Sequence, residues 1–79
     1  QAPTHFLVIP KEHIGSCGEI GPENAAVVGH IFQVISRLAG ELGMESFRVV
    51  SNCGEQAGQS VHHLHFHVLA GRDMTWPPG

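Results

Sequence analysis

Seventy-nine residues are enough for one small domain, which buries only roughly 60–65% of its extended-chain surface, and they exclude a second independent core. An apolar share of 42% beside charged residues at 14%, about half the usual quarter, points to a surface that self-associates. Four Lys+Arg against seven Asp+Glu, a formal net charge of −3, exclude the basic footprint of a nucleic-acid binder, and no apolar run approaches the roughly eighteen residues of a membrane span.

The chain opens on Gln1-Ala2-Pro3 without a methionine and is expected to be cut from something longer. Residues 4–9 are β-branched and aromatic and predict a first strand, which Pro10 ends because it lacks a ladder donor. Residues 11–21 hold Gly15, Gly18 and Gly21 with Ser16 and Cys17 between them, a loop composition. Pro22 suits a first helical position, and Val28, Ile31, Ile35, Leu38 and Leu42 recur at helical spacing up to Gly43, the expected stop. Val27, Phe32 and Val34 form a second apolar line, wider than one small sheet needs, and Gly29 and Gly40 suggest close approach of a partner helix. Residues 47–51 predict a second strand, 52–58 a loop and 61–69 a third strand. The tail, including Trp76, is expected to be irregular. Three antiparallel strands and one helix make a thin α+β domain, so a dimer, missing N-terminal structure, or both are expected. The chain reads as soluble and cytoplasmic, with no signal segment, and Cys17 and Cys53 as reduced thiols.

Histidine is the outlier: seven in all, four of them in 62–67. Strand alternation puts His63, His65 and His67 on one face, and His62, Leu64, Phe66 and Val68 on the other. Three readings are open, the plainest being a surface strand that happens to carry polar histidines. A His-x-His pair with His5 or His30 would suit zinc. Alternatively, a row of imidazoles can attack and hold a phosphate ester, because crowding keeps at least one ring neutral and nucleophilic while its neighbours donate to phosphoryl oxygens. His13 and His30 read as structural, and Cys53 as a small hydrophobe more than a nucleophile.

The run Gln59-Ser60-Val61-His62-His63-Leu64-His65-Phe66-His67-Val68-Leu69 resembles the signature of the histidine triad (HIT) family. Its flanks, Gln1-Ala2-Pro3-Thr4-His5-Phe6-Leu7-Val8-Ile9-Pro10-Lys11 and Gly71-Arg72-Asp73-Met74-Thr75-Trp76-Pro77-Pro78-Gly79, resemble the Hint branch, the nucleoside phosphoramidate hydrolases. The resemblance spans the whole chain. It implies a single HIT domain over 1–79 lacking the family's N-terminal part, with a sheet continued across a homodimer. It also implies a purine nucleotide ligand of AMP or GMP type and no metal or other cofactor.

By position in the motif, the resemblance makes His65 the nucleophile at the α-phosphorus, His63 its orienting partner, His67 a phosphate contact and His5 the fourth histidine, handling leaving group and phosphate. Ser60 and Asn52 would contact leaving group, phosphate and ribose, the backbone of Gly58 and Gln59 would line the cleft, and Trp76 would reach a partner protomer's site. The family alternative is a dinucleoside polyphosphate hydrolase; a module that only binds nucleotide or metal is the non-enzymatic one. Two departures stand out. His62 replaces the usual aromatic and is expected to alter packing, and the segment that would supply the ribose-holding acidic residue precedes Gln1.

Overall fold

The computed structural model describes residues 2–76; Gln1 and the 77–79 end of the expected tail lie outside them. Three strands, β1 (Thr4–Val8), β2 (Arg48–Val50) and β3 (Phe66–Ala70), form an antiparallel sheet in the order β1-β3-β2. Helix α1 (Ala25–Glu41) covers one face. This is the two-layer α+β arrangement that the element pattern predicts. No described helix is long and apolar enough to cross a membrane.

The core follows from two periodicities meeting. Leu64, Phe66, Val68 and Ala70 alternate inward from the central strand and its approach, while Ile31, Ile35 and Ala39 recur at one helical turn. Phe6, Val8 and Val49 pack against the same cluster from the outer strands, as their register opposite Val68 and Phe66 requires. Leu42, expected on that stripe, is instead 59% exposed, because it caps the helix where the sheet has ended. Phe32 stays 46% exposed although its ring meets Phe66 edge-on at 5.4 Å.

All four elements differ from expectation at a boundary. The helix begins at Ala25, not Pro22: the Asn24 amide N–H donates to the Gly21 carbonyl at 3.1 Å, and Pro22 occupies the second position of that turn. The Asn24 side chain then accepts from the Gly21 N–H and donates to the Glu19 carbonyl, so it ties down the entry loop rather than the helix. The first and second strands are shorter by one and two residues than predicted. Most consequentially, 61–65 is not strand. β1 ends opposite Phe66, Pro10 lacks the N–H that would continue the ladder, and the Leu64 N–H bonds instead to Ile14 of the first loop at 2.6 Å. His62 therefore lies on a bend and is exposed, not on the core face.

The helix stop is where the sequence places it. Gly43 sits at φ 70°, with its N–H donating to Gly40 and the Met44 N–H donating to Ala39, the paired bonds of a Schellman ending. A Cβ at Gly43 would meet nothing within 4 Å, so sterics cannot confuse the comparison. Gly43→Ala is expected to lose about 1 kcal/mol of stability through its positive φ. Urea denaturation of the variant beside the parent checks the loss.

Candidate active site

The sheet face turned away from α1 carries the histidines. In the antiparallel register Leu7 pairs with His67, and His5 with Leu69, so these four side chains share one face. His5 and His67 are diagonal neighbours, close enough for His5 Nε2 and His67 Nδ1 to lie 2.9 Å apart. One of these nitrogens donates and the other accepts, so the pair shares a single proton at that contact. His65 follows, its ring centroid 5.1 Å from that of His67 and edge-on to it.

The backbone sets the tautomer of the middle histidine. His65 Nδ1 lies 2.7 Å from the carbonyl oxygen of His63, which can only accept. Nδ1 therefore carries the proton, and in the neutral ring the lone pair falls on Nε2. The bend before β3 makes this contact possible, because it aims the carbonyl of residue 63 at the ring two residues on. The Ser51 hydroxyl donates to the carbonyl of His65 at 2.9 Å and fixes the same stretch from β2. His63 donates from Nε2 to the Pro10 carbonyl at 2.9 Å, which anchors its ring to the end of β1. His63 thus positions His65 through its carbonyl, while its ring is engaged elsewhere.

Beside these rings lies an open, apolar cavity of about 350 Å³, lined by Leu7, Ile9, Val61, His63 and His65. Leu7, Ile9 and Val61 are each about half exposed, an apolar wall that no described residue covers.

His67 has a displaced titration. Partial burial first, then the neighbouring His65 and His5 rings, hold it below its ordinary value of 6.5. The unfolded chain then takes up a proton that the folded chain resists. The resulting stability is complete above pH 6.5 and is lost as pH falls through the depressed folded value. The urea midpoint is expected to drop between about pH 7.5 and pH 5.5, and to drop less in His67→Asn.

The remaining expected residues sort by position. Asn52 is half-buried and packs over Gly58, where a Cβ would lie 3.8 Å from its Nδ2. Ser60 is exposed next to the triad bend. Gly58, at φ 95°, donates its N–H to Glu55, and Gln59 donates its own to Gly54, so both amides serve the hook that they close. The Gln59 side chain is 4% exposed. Its amide nitrogen donates to the carbonyls of Gly15 (2.8 Å) and Val61 (2.9 Å), and its oxygen accepts from Gly54. Trp76 is 83% exposed, although the tail just before it is held by a bond from Arg48 to the Thr75 carbonyl.

His30 is exposed on α1, in the layer opposite the triad, and no group of three or more His, Cys, Asp or Glu among the described residues could hold a metal ion. His13, read from sequence as structural, lies at the edge of the histidine cluster, its ring 5.3 Å from His63 and perpendicular to it. Its position follows from the bend at residues 11–12 after β1, a signal that spacing alone does not carry.

The model of the HIT domain family matches residues 1–74. An uncharacterised HIT-like protein of Synechococcus elongatus is 45% identical across the whole chain, which covers 70% of that relative. The crystal structure of a HIT family hydrolase from Legionella pneumophila superposes with a TM-score of 0.94 at 41% identity, over all of this chain and 72% of that one. A histidine triad protein from Clostridium difficile gives 0.87 at 45% identity, over 94% and 66% of the two chains. With the His-φ-His-φ-His pattern running from the bend into the central strand and the family model matching nearly the full length, the chain belongs to the HIT domain family.

Proposed function

We propose that the chain is a hydrolase that cleaves the P–N bond of purine nucleoside 5′-phosphoramidates through a nucleotidyl-histidine at His65. The observation that carries this is the bond from His65 Nδ1 to the His63 carbonyl, which leaves Nε2 as a fixed lone pair on a ring beside the His67 imidazole. In the first step Nε2 attacks the α-phosphorus and the P–N bond breaks, the amine departing with a proton. Water then attacks the same phosphorus, releasing the nucleoside monophosphate and restoring the ring.

The His5–His67 contact suits the charge that develops at phosphorus. With His5 donating to His67 Nδ1, the remaining proton of His67 sits on Nε2, ready for a phosphoryl oxygen. His5 and Ser60 serve the leaving group, while Asn52 and the 58–59 segment form the phosphate and ribose side. The apolar wall of Leu7, Ile9 and Val61 accommodates the flat face of a purine. The hydrolase name of the Legionella relative agrees with this chemistry.

A homodimer belongs to the same reading. Phe32 and Leu42 are exposed, Gly29 and Gly40 face open space, and β2 is a sheet edge with an unpaired side. Trp76 would then reach the second protomer's site, in a cytoplasmic protein. Light scattering is expected to give twice the chain mass.

The test is intact-mass analysis of the protein quenched soon after mixing with an adenosine 5′-phosphoramidate, with diadenosine tetraphosphate in parallel, each with and without EDTA. A nucleotidyl adduct that EDTA does not alter and that forms faster from the phosphoramidate is expected. Faster labelling by the dinucleotide would move the assignment to polyphosphate hydrolysis, and no adduct from either would leave a binding module.

A further inference from the structure

The two cysteines take no part in the histidine chemistry, yet the fold brings them together from positions far apart in sequence. Cys53 is exposed in the loop after β2, and Cys17 is half-buried in the first loop, packed against the core. Both sequence neighbours of Cys17 touch the Cys53 sulfur. Ser16 Oγ lies 3.4 Å from Sγ, and Gly18 runs so close that a Cβ there would stand 2.8 Å from it. The residue between them is thereby set beside the same sulfur.

We propose that Cys53 and Cys17 form a peroxide-responsive thiol pair that closes into a disulfide between the two loops flanking the histidine face. The exposed Cys53 is the attacking thiol and the sheltered Cys17 the resolving one. Ser16 makes the division of labour physical. Its oxygen already accepts the Gly18 N–H at 3.3 Å, which leaves its own hydrogen free for the sulfur. That hydroxyl first, then the Gly18 amide, hold the Cys53 thiol below its ordinary value of 9.0, and the Cys17 side chain acts in the same direction.

In the first step the Cys53 thiolate attacks one oxygen of a hydroperoxide. The O–O bond breaks, the sulfur becomes a sulfenic acid, and the released alkoxide takes a proton to leave as alcohol, or as water from hydrogen peroxide. The Cys17 sulfur then attacks that of Cys53, the S–O bond breaks, and hydroxide leaves with the Cys17 proton as water. Two thiols are oxidised by two electrons and the peroxide is reduced by two. The link would cross the same gap that the Gln59 side chain already spans between Gly15 and Gly54, directly after Asn52.

The test needs no substrate, so its outcome is independent of the phosphoramidate reading. The reduced 79-residue protein is treated with one equivalent of hydrogen peroxide, and its mass and non-reducing peptide map are recorded. The expected product loses roughly 2 Da, has no titratable thiol, yields a peptide joining Cys17 to Cys53, and reverts with dithiothreitol. Iodoacetamide is expected to alkylate Cys53 at least about fivefold faster in the folded protein than in urea, and Cys17 more slowly than Cys53. In Cys17→Ser, dimedone is expected to trap a sulfenic acid on Cys53. A parent protein that accumulates sulfinic acid or intermolecular dimers without the internal link overturns the proposal, as does equal reactivity of the two thiols in the folded state.

Discussion

His65→Ala is expected to abolish the nucleotidyl adduct and to lower kcat/KM for an adenosine phosphoramidate by at least roughly a thousandfold, with the fold intact. The ring is half-buried on the open face and, among the described residues, bonds to the His63 carbonyl alone, so its removal opens no core cavity. Circular dichroism and the urea midpoint should match those of the parent. The companion variant is His63→Ala. It removes an imidazole but keeps the carbonyl that sets the His65 tautomer, and is expected to cost about ten- to a hundredfold while still forming adduct. A His63→Ala protein as inert as His65→Ala would show that the His63 ring itself takes part in the reaction. An adduct surviving in His65→Ala would move the nucleophile to another histidine.

Gln59→Leu is expected to be the most destabilising single change near the site, by about 2–4 kcal/mol, because it strands two carbonyls and an amide that have no other partner among the described residues. Against a total stability of roughly 4–12 kcal/mol for a domain of this length, that loss shifts the urea midpoint far. Gln59→Glu keeps the shape but points a carboxylate at the Gly15 and Val61 carbonyls. Its folded pKa should rise, since only the protonated acid can donate there. The Glu variant's deficit is then smallest below the ordinary glutamate value and grows as pH rises through the folded value, opposite in sign to the His67 contribution. A Gln59→Leu protein with an unchanged midpoint would show that water replaces the side chain.

These expectations separate what the linear sequence carries from what folding adds. The inward alternation of Leu64, Phe66, Val68 and Ala70, the helical recurrence of Ile31 and Ile35, and the stop at Gly43 are legible in sequence, because burial period and φ preference are properties of a few consecutive residues. So is the presence of a histidine face, which is period two applied to one residue type. The HIT pattern and its flanks rest on the same short-range order.

Tertiary structure decided the rest. Whether 61–65 is strand or bend depends on whether a partner strand extends past Val8, and Pro10 ended it. From that bend follow the carbonyl that fixes the His65 tautomer, the exposure of His62 and the place of His13 beside His63. The Gln59 side chain is a buried clamp, a role that exists only once the first loop lies against the second. Cys17 and Cys53 likewise show nothing in a one-dimensional reading and became neighbours through that same loop contact. Local patterning determined which residues face inward and which carry chemistry; the meeting of two loops distant in sequence decided which atoms of those residues can act, because hydrogen-bond partners are chosen by distance in space.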